Sequence, residues 1–134
     1  MACNPGEFIE QWKAAVAAHD HGAIAALVSD SVVFHSPAVY TPVTEKPYVL
    51  HLFGFVDEAI QGFTYIDEYT KSDGAALVFR GSIDGLTIEG VDFFTLDEEN
   101  KIVEMKVMLR PLNAAAALAQ FVKGRFESLA AGKA

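Results

Sequence analysis

One cysteine, Cys3, occurs in 134 residues. A single thiol cannot form an internal disulfide and offers no metal-binding spacing; near the start of the chain it is expected to be poorly ordered. Basic residues are scarce too: ten Lys and Arg face eighteen Asp and Glu, for a net charge of −8. With no basic run to neutralise phosphates, nucleic-acid binding is excluded. The four histidines show no ligand spacing, so no metal is expected. No apolar run is long enough to span a bilayer, and no basic-then-apolar leader opens the sequence. These shortages predict a soluble, cytoplasmic protein without a membrane partner. The sequence also lacks repeats, low-complexity tracts and linkers, so residues 1–134 read as one domain. What is abundant is apolar: 51% of the residues are hydrophobic, ten of them Phe, enough for a sizeable core.

Asn4-Pro5-Gly6-Glu7 has the residue order of a helix start. Phe8, Trp12, Ala15, Val16 and His19 then recur at helical spacing, to an end near Asp20-His21-Gly22. A shorter helix through Ile24, Leu27 and Val28 follows, with Asp20 as its cap. Ser31–Ser36 reads as a strand with Val32, Phe34 and Ser36 on one face and Val33 and His35 on the other. Pro37, Pro42 and Pro47 make residues 37–46 a loop. Pro47 opens a third helix whose stripe is Tyr48, Val49, Leu52, Phe53, Val56 and Ile60. After Gly62 the period becomes two. Phe63–Thr70 is a strand with Phe63, Tyr65, Asp67 and Tyr69 on one face. Asp73-Gly74 turns it into a strand over 75–84 with Leu77, Phe79 and Ile83 inward. A final helix reaches about Ala131, striped by Leu118, Val122, Phe126 and Leu129.

The strongest signal is Leu86–Arg110, two β-rich segments around the turn Asp97-Glu98-Glu99-Asn100. Leu86, Ile88, Phe94 and Leu96 share one parity, and Asp92 shares it with them. An acid on an apolar face costs free energy unless it is paired, hydrogen-bonded or protonated. Asp92 is therefore the candidate catalytic residue, as a neutral acid or an ionised base; a core acid bonded to Trp12, a tyrosine or a backbone group is the alternative. In the second segment Val103, Met105, Val107 and Leu109 form the apolar face. The opposite parity, with Val33, Val78, Arg80, Val91, Phe93 and Lys106, predicts an outer sheet face that pairs with a second copy.

The two N-terminal helices, the SDSVVFHSP strand, the third helix and the run ending DFFTLDEENKIVEM resemble the SnoaL-like group of the nuclear transport factor 2-like superfamily, which includes ketosteroid isomerase. The resemblance covers nearly the whole chain. It implies an α+β fold: a cone-shaped barrel whose curved antiparallel sheet wraps three helices from the N-terminal half, with a C-terminal helix and a deep apolar pocket. It also implies a homodimer. In ketosteroid isomerase an acid kept neutral by an apolar site helps bind an oxyanion. Asp92, in the D-x-x-x-x-D pattern ending at Asp97, matches that acid. Trp12, eight residues before Asp20, falls where the isomerase has its oxyanion-hole tyrosine, and an indole N–H is also a donor. Ser36, before Pro37, falls where the isomerase has an aspartate base, and serine does not accept a proton at neutral pH unaided.

Trp12, Ser36, Tyr40, His51, Phe53, Met105 and Leu109 are the expected ligand-contacting residues around Asp92, with His51 and Tyr40 near the entrance. His35 reads as a sheet-face residue, His19 and His21 as helix-end cations. Arg110 pairs with a surface Glu or neutralises a ligand at the rim. No G-x-S-x-G elbow accompanies Ser36, which argues against a nucleophile. Two functions follow. One is a cofactor-independent isomerase, cyclase or hydratase acting on a small, apolar, oxygen-bearing molecule. The other is a module of the same fold that binds such a ligand or dimerises without chemistry.

Overall fold

Asn4 starts the first helix as its type demands: its Oδ1 accepts the Glu7 backbone N–H at 3.1 Å, and Pro5 opens the helical run. In the computed structural model, which describes residues 2–132, α1 (Pro5–Ala17) is followed by α2 (His21–Ala26), β1 (Val28–His35) and α3 (Lys46–Ala59). Then come β2 (Gln61–Lys71), β3 (Gly74–Ile83), β4 (Leu86–Leu96), β5 (Ile102–Arg110) and α4 (Leu112–Ala130). Asp20 caps α2, accepting Ala23 N–H at 3.0 Å. That helix is shorter than its apolar spacing suggests: it ends at Ala26, and Val28 already belongs to β1. No helix among the described residues is long and apolar enough to cross a membrane.

The five strands form one sheet in the order β1-β5-β4-β3-β2. The four-strand meander is antiparallel throughout, as its turns require. β1 alone runs parallel, beside β5. The architecture is α+β, with helices on one face of the sheet. α1 buries the most of the three helices that precede the meander, with Phe8, Ile9, Trp12 and Ala15 in the core, whereas α3 buries Val49, Leu52 and Ala59. Cys3 is not a loose end, for it packs on this core and its thiol reaches Ser72 O at 3.4 Å.

Two bulges change faces that simple alternation misassigns. Between Tyr65 and Asp67 the register on β3 slips, so Tyr65 opposes Phe79 while Asp67 opposes Val78. Tyr65 thus stays inward with Phe79, and Asp67 and Tyr69 turn outward, where their side chains bond at 2.8 Å. On β5 an extra residue between Ile102 and Glu104 makes Ile102 the fully buried one and leaves Val103 only half-buried. Gly90, on the inner face of β4, leaves room for the Phe79 ring and the Leu109 side chain, which occupy the place of a Cβ there.

Candidate functional site

β4 is the middle strand, so Asp92 has β3 and β5 on its two sides, opposite Leu77 and Val107. Water cannot reach it from a sheet edge. The residue is 5% exposed, the one charged or polar residue in the described core. Over it lie the rings of α1: Trp12 packs edge-on to Phe94 at 5.1 Å and to Phe53 at 5.7 Å.

Asp92 is reached through a tyrosine. The Trp12 indole donates to Tyr65 Oη at 2.8 Å, and Tyr65 Oη donates to Asp92 Oδ2 at 2.8 Å. Chemistry fixes this direction. An indole N–H only donates, so Tyr65 accepts there and its single proton goes to Asp92. Asp92 Oδ1 has no hydrogen-bond partner among the described residues, yet no sealed side-chain oxygen there is left unpaired. Oδ1 therefore opens onto the cavity that Asp92 lines. Burial drives the Asp92 carboxyl up from 3.8 to about 7, and the Tyr65 hydrogen bond, the smaller influence, pulls the other way. Burial, then the neighbouring Asp92 charge, raises the Tyr65 phenol well above its ordinary value, so it remains a proton donor.

The cavity measures about 170 Å³. Besides Asp92 and Tyr65 its walls are mainly apolar, with Phe34, Leu52, Phe79 and Leu118 among them. Of the residues expected from sequence, Trp12, Ser36, Phe53, Met105 and Leu109 join Asp92 around it. Tyr40 and His51 do not. Backbone bonds between Phe34 and Val43 pinch the intervening loop and turn Tyr40 outward, 98% exposed. His51 sits on an exposed face of α3 and stacks on Phe55 instead. Ser36 uses its hydroxyl to accept Ala38 N–H at 3.0 Å, and no histidine or acid bonds it. Arg110 pairs with Glu89 on the outer face, at 2.6 Å, away from the cavity. His35 likewise pairs with Glu104 at 2.8 Å. Sequence reasoning missed Tyr65 as a site residue, as well as Asp57 and the α4 wall of Ala115, Leu118, Ala119 and Val122. The stripe at Leu118 and Val122 was the available signal for that wall. Among the described residues no cluster of His, Cys, Asp and Glu is arranged to hold a metal ion.

The SnoaL-like domain family matches residues 9–105, well over half of the chain. The chain belongs to the SnoaL-like family. The matched segment carries the Trp12–Tyr65–Asp92 relay; α4 lies beyond it. No curated protein matches this SnoaL-like sequence. Solved structures do. A steroid delta-isomerase from Pseudomonas aeruginosa superposes with a TM-score of 0.88 at 23% identity, covering 94% of this chain and 93% of that one. An uncharacterised protein with a cystatin-like fold from Silicibacter pomeroyi gives 0.83 at 29% identity, over 88% and 84% of the two chains. A hypothetical protein with a ketosteroid isomerase-like fold from Catenulispora acidiphila, solved in complex with trimethylamine, gives 0.63 at 16%, over 87% and 95%. These likenesses place the SnoaL-like chain in the ketosteroid isomerase-like fold.

Proposed function

We propose that this SnoaL-like chain is a cofactor-independent acid–base enzyme for a small, mostly apolar molecule bearing a ketone or similar oxygen. Isomerisation, cyclisation and hydration are the reaction types that fit. The relay that ends on Asp92 Oδ2, with Oδ1 of the same carboxyl facing the cavity, carries the reading. Below about pH 7 Asp92 is neutral, and with Oδ2 accepting from Tyr65 its proton is best placed on Oδ1. Oδ1–H then donates to a ligand oxygen and stabilises the negative charge that develops there. The apolar wall keeps competing water away from that bond.

The size of the chamber narrows the ligand. An apolar cavity of ~150 Å³ holds one benzene molecule, so about 170 Å³ suits one ring or two small fused rings. The substrate in the name of the Pseudomonas relative is a steroid, and its four rings exceed that space. A series of cyclic ketones read by fluorescence tests this, since Trp12 is the sole tryptophan of the chain and lines the cavity. Cyclohexanone is expected to quench Trp12, and a steroid ketone is not. Binding needs the neutral acid, so affinity should be full on the acid side and fall roughly tenfold per pH unit above about 7. A flat pH profile, or equal binding of the steroid, counts against the proposal.

The geometry at Ser36 favours a second reading, a binding module without chemistry: the hydroxyl has no base. Proton exchange into a bound ketone, described below, separates the two.

We also propose that a second copy covers the outer sheet face. Val78, Val91 and Met108 form one cross-strand row there, and Ala76, Phe93 and Lys106 the next. Met108 is 55% exposed and Phe93 is 41% exposed, an apolar patch on central strands. Sedimentation at micromolar concentration is expected to show a dimer, and Phe93→Asp with Met108→Asp a monomer. A wild-type monomer contradicts this.

A further inference from the structure

The cavity has a second carboxylate, set differently from the first. Asp57, on the last turn of α3, lines the chamber beside Val56. Its side chain is 27% exposed, whereas Asp92 is 5% exposed. Asp57 therefore stands at the open rim and Asp92 at the floor. Both Asp57 oxygens lie 2.9 Å from His19 Nδ1, and His21 Nε2 is 4.0 Å from Oδ2. His19 is not left to cap α1: it sits in the left-handed region, with φ 53°, in the turn between α1 and α2. Backbone bonds fix that turn, His19 N–H to Val16 O at 3.1 Å and Asp20 N–H to Ala15 O at 2.9 Å. Asp57 is thus held by a structured turn. One ring nitrogen shared between two oxygens leaves each oxygen lone pairs on its other side. The same arrangement would also serve merely to tie α1 to α3, and the experiment below separates the two roles.

We infer that Asp57 is the base that removes a proton from carbon in this cavity, acting opposite Asp92 on a ketone of one or two small rings. This rests on the reading of Asp92 as the acid that binds the ketone oxygen. In the step, the C–H bond beside the carbonyl breaks and Asp57 gains the proton. The C–H electron pair becomes the C=C bond of an enol, the carbonyl π pair moves to oxygen, and that oxygen takes the Asp92 proton. The reverse step returns a proton to carbon and restores Asp92. Nothing is oxidised or reduced, and no co-reactant is consumed. Return to a more distant carbon of an unsaturated ketone shifts a double bond. At the exposed rim, Asp57 trades its new proton with water before giving one back, so solvent hydrogen enters the ketone. A base at Asp57 also answers for Ser36, which has no proton acceptor of its own.

The test incubates the full chain with cyclohexanone in D₂O on the acid side of neutrality. Loss of the α-proton signals is followed by NMR, and the Kd by Trp12 fluorescence. Wild type is expected to exchange faster than buffer. Asp57→Asn should lower the bound exchange rate by about 10²-fold or more with Kd held within a factor of about two, and that unchanged Kd shows the cavity intact. If Asp57→Asn does not fold, Asp57→Glu, which displaces the carboxylate by one methylene, should slow exchange with Kd held. Asp92→Asn should instead raise Kd. Exchange at the wild-type rate in Asp57→Asn, or at the wild-type rate in Asp57→Glu where that variant stands in, overturns the assignment, as does wild-type binding without exchange; both leave the Asp92 reading standing. Failure of wild type to bind cyclohexanone overturns the Asp92 reading and this one with it.

Discussion

Asp92→Asn is expected to abolish a loss of stability that wild type suffers as pH rises from about 4 to about 7. The sign follows from where the proton sits. Below 3.8 Asp92 is neutral in the folded and the unfolded chain; between 3.8 and about 7 only the unfolded chain is ionised. There the folded state binds more protons, so raising the pH favours unfolding. Above about 7 the folded chain must carry a buried carboxylate, and the loss is complete. At ~1.4 kcal/mol per pKa unit, a carboxyl moved from 3.8 to about 7 corresponds to roughly 4 kcal/mol. Asparagine has no proton to lose and keeps the shape. Urea unfolding of both proteins at the two ends of the window should therefore show the variant gaining about 4 kcal/mol on wild type with rising pH. Parallel profiles would mean that Asp92 is an ordinary ionised acid.

Tyr65→Phe should cost more than the loss of one hydroxyl suggests. Tyr65 is at once the acceptor for the Trp12 indole and the donor to Asp92 Oδ2. Its removal leaves two buried polar groups unpaired, each worth about 1–3 kcal/mol, so a total of roughly 2–6 kcal/mol is expected. The Tyr65 hydrogen bond is also the one influence that lowers the Asp92 carboxyl. Without it the carboxyl moves further up, and the pH window of declining stability extends past 7. Trp12→Phe should be milder, because Tyr65 still sends its proton to Asp92. The check is denaturant unfolding of the three proteins across pH. A Tyr65→Phe variant as stable as wild type, with an unmoved window, would reduce the relay to packing.

The inward face of Asp92 was legible because β4 alternates without interruption over Leu86–Leu96. The start of α1 was legible because Asn4, Pro5 and Glu7 each have one dominant role at a helix end. β2 was not readable in the same way. Its register slips twice, before Thr64 and after Tyr65, so period two placed Asp67 and Tyr69 beside Tyr65 although they face outward. A bulge is set by the strand it pairs with, and that strand is not named in the local pattern. Asp57 was hidden for a related reason: its partner His19 lies 38 residues away, and helical spacing shows a face without showing what meets it. Tyr40 and His51 were placed near the entrance by position in the chain. The loop geometry and the packing of α3 decided otherwise.

The central claim, a carboxylic acid held neutral at the floor of an apolar cavity, is tested most directly by titrating the ¹³C-labelled carboxyl of Asp92 by NMR, assigned with Asp92→Asn. A midpoint near 7 is expected, since burial outweighs the Tyr65 hydrogen bond. A midpoint at or below 3.8, the ordinary value for the group, would contradict it and leave Asp92 a structural anion.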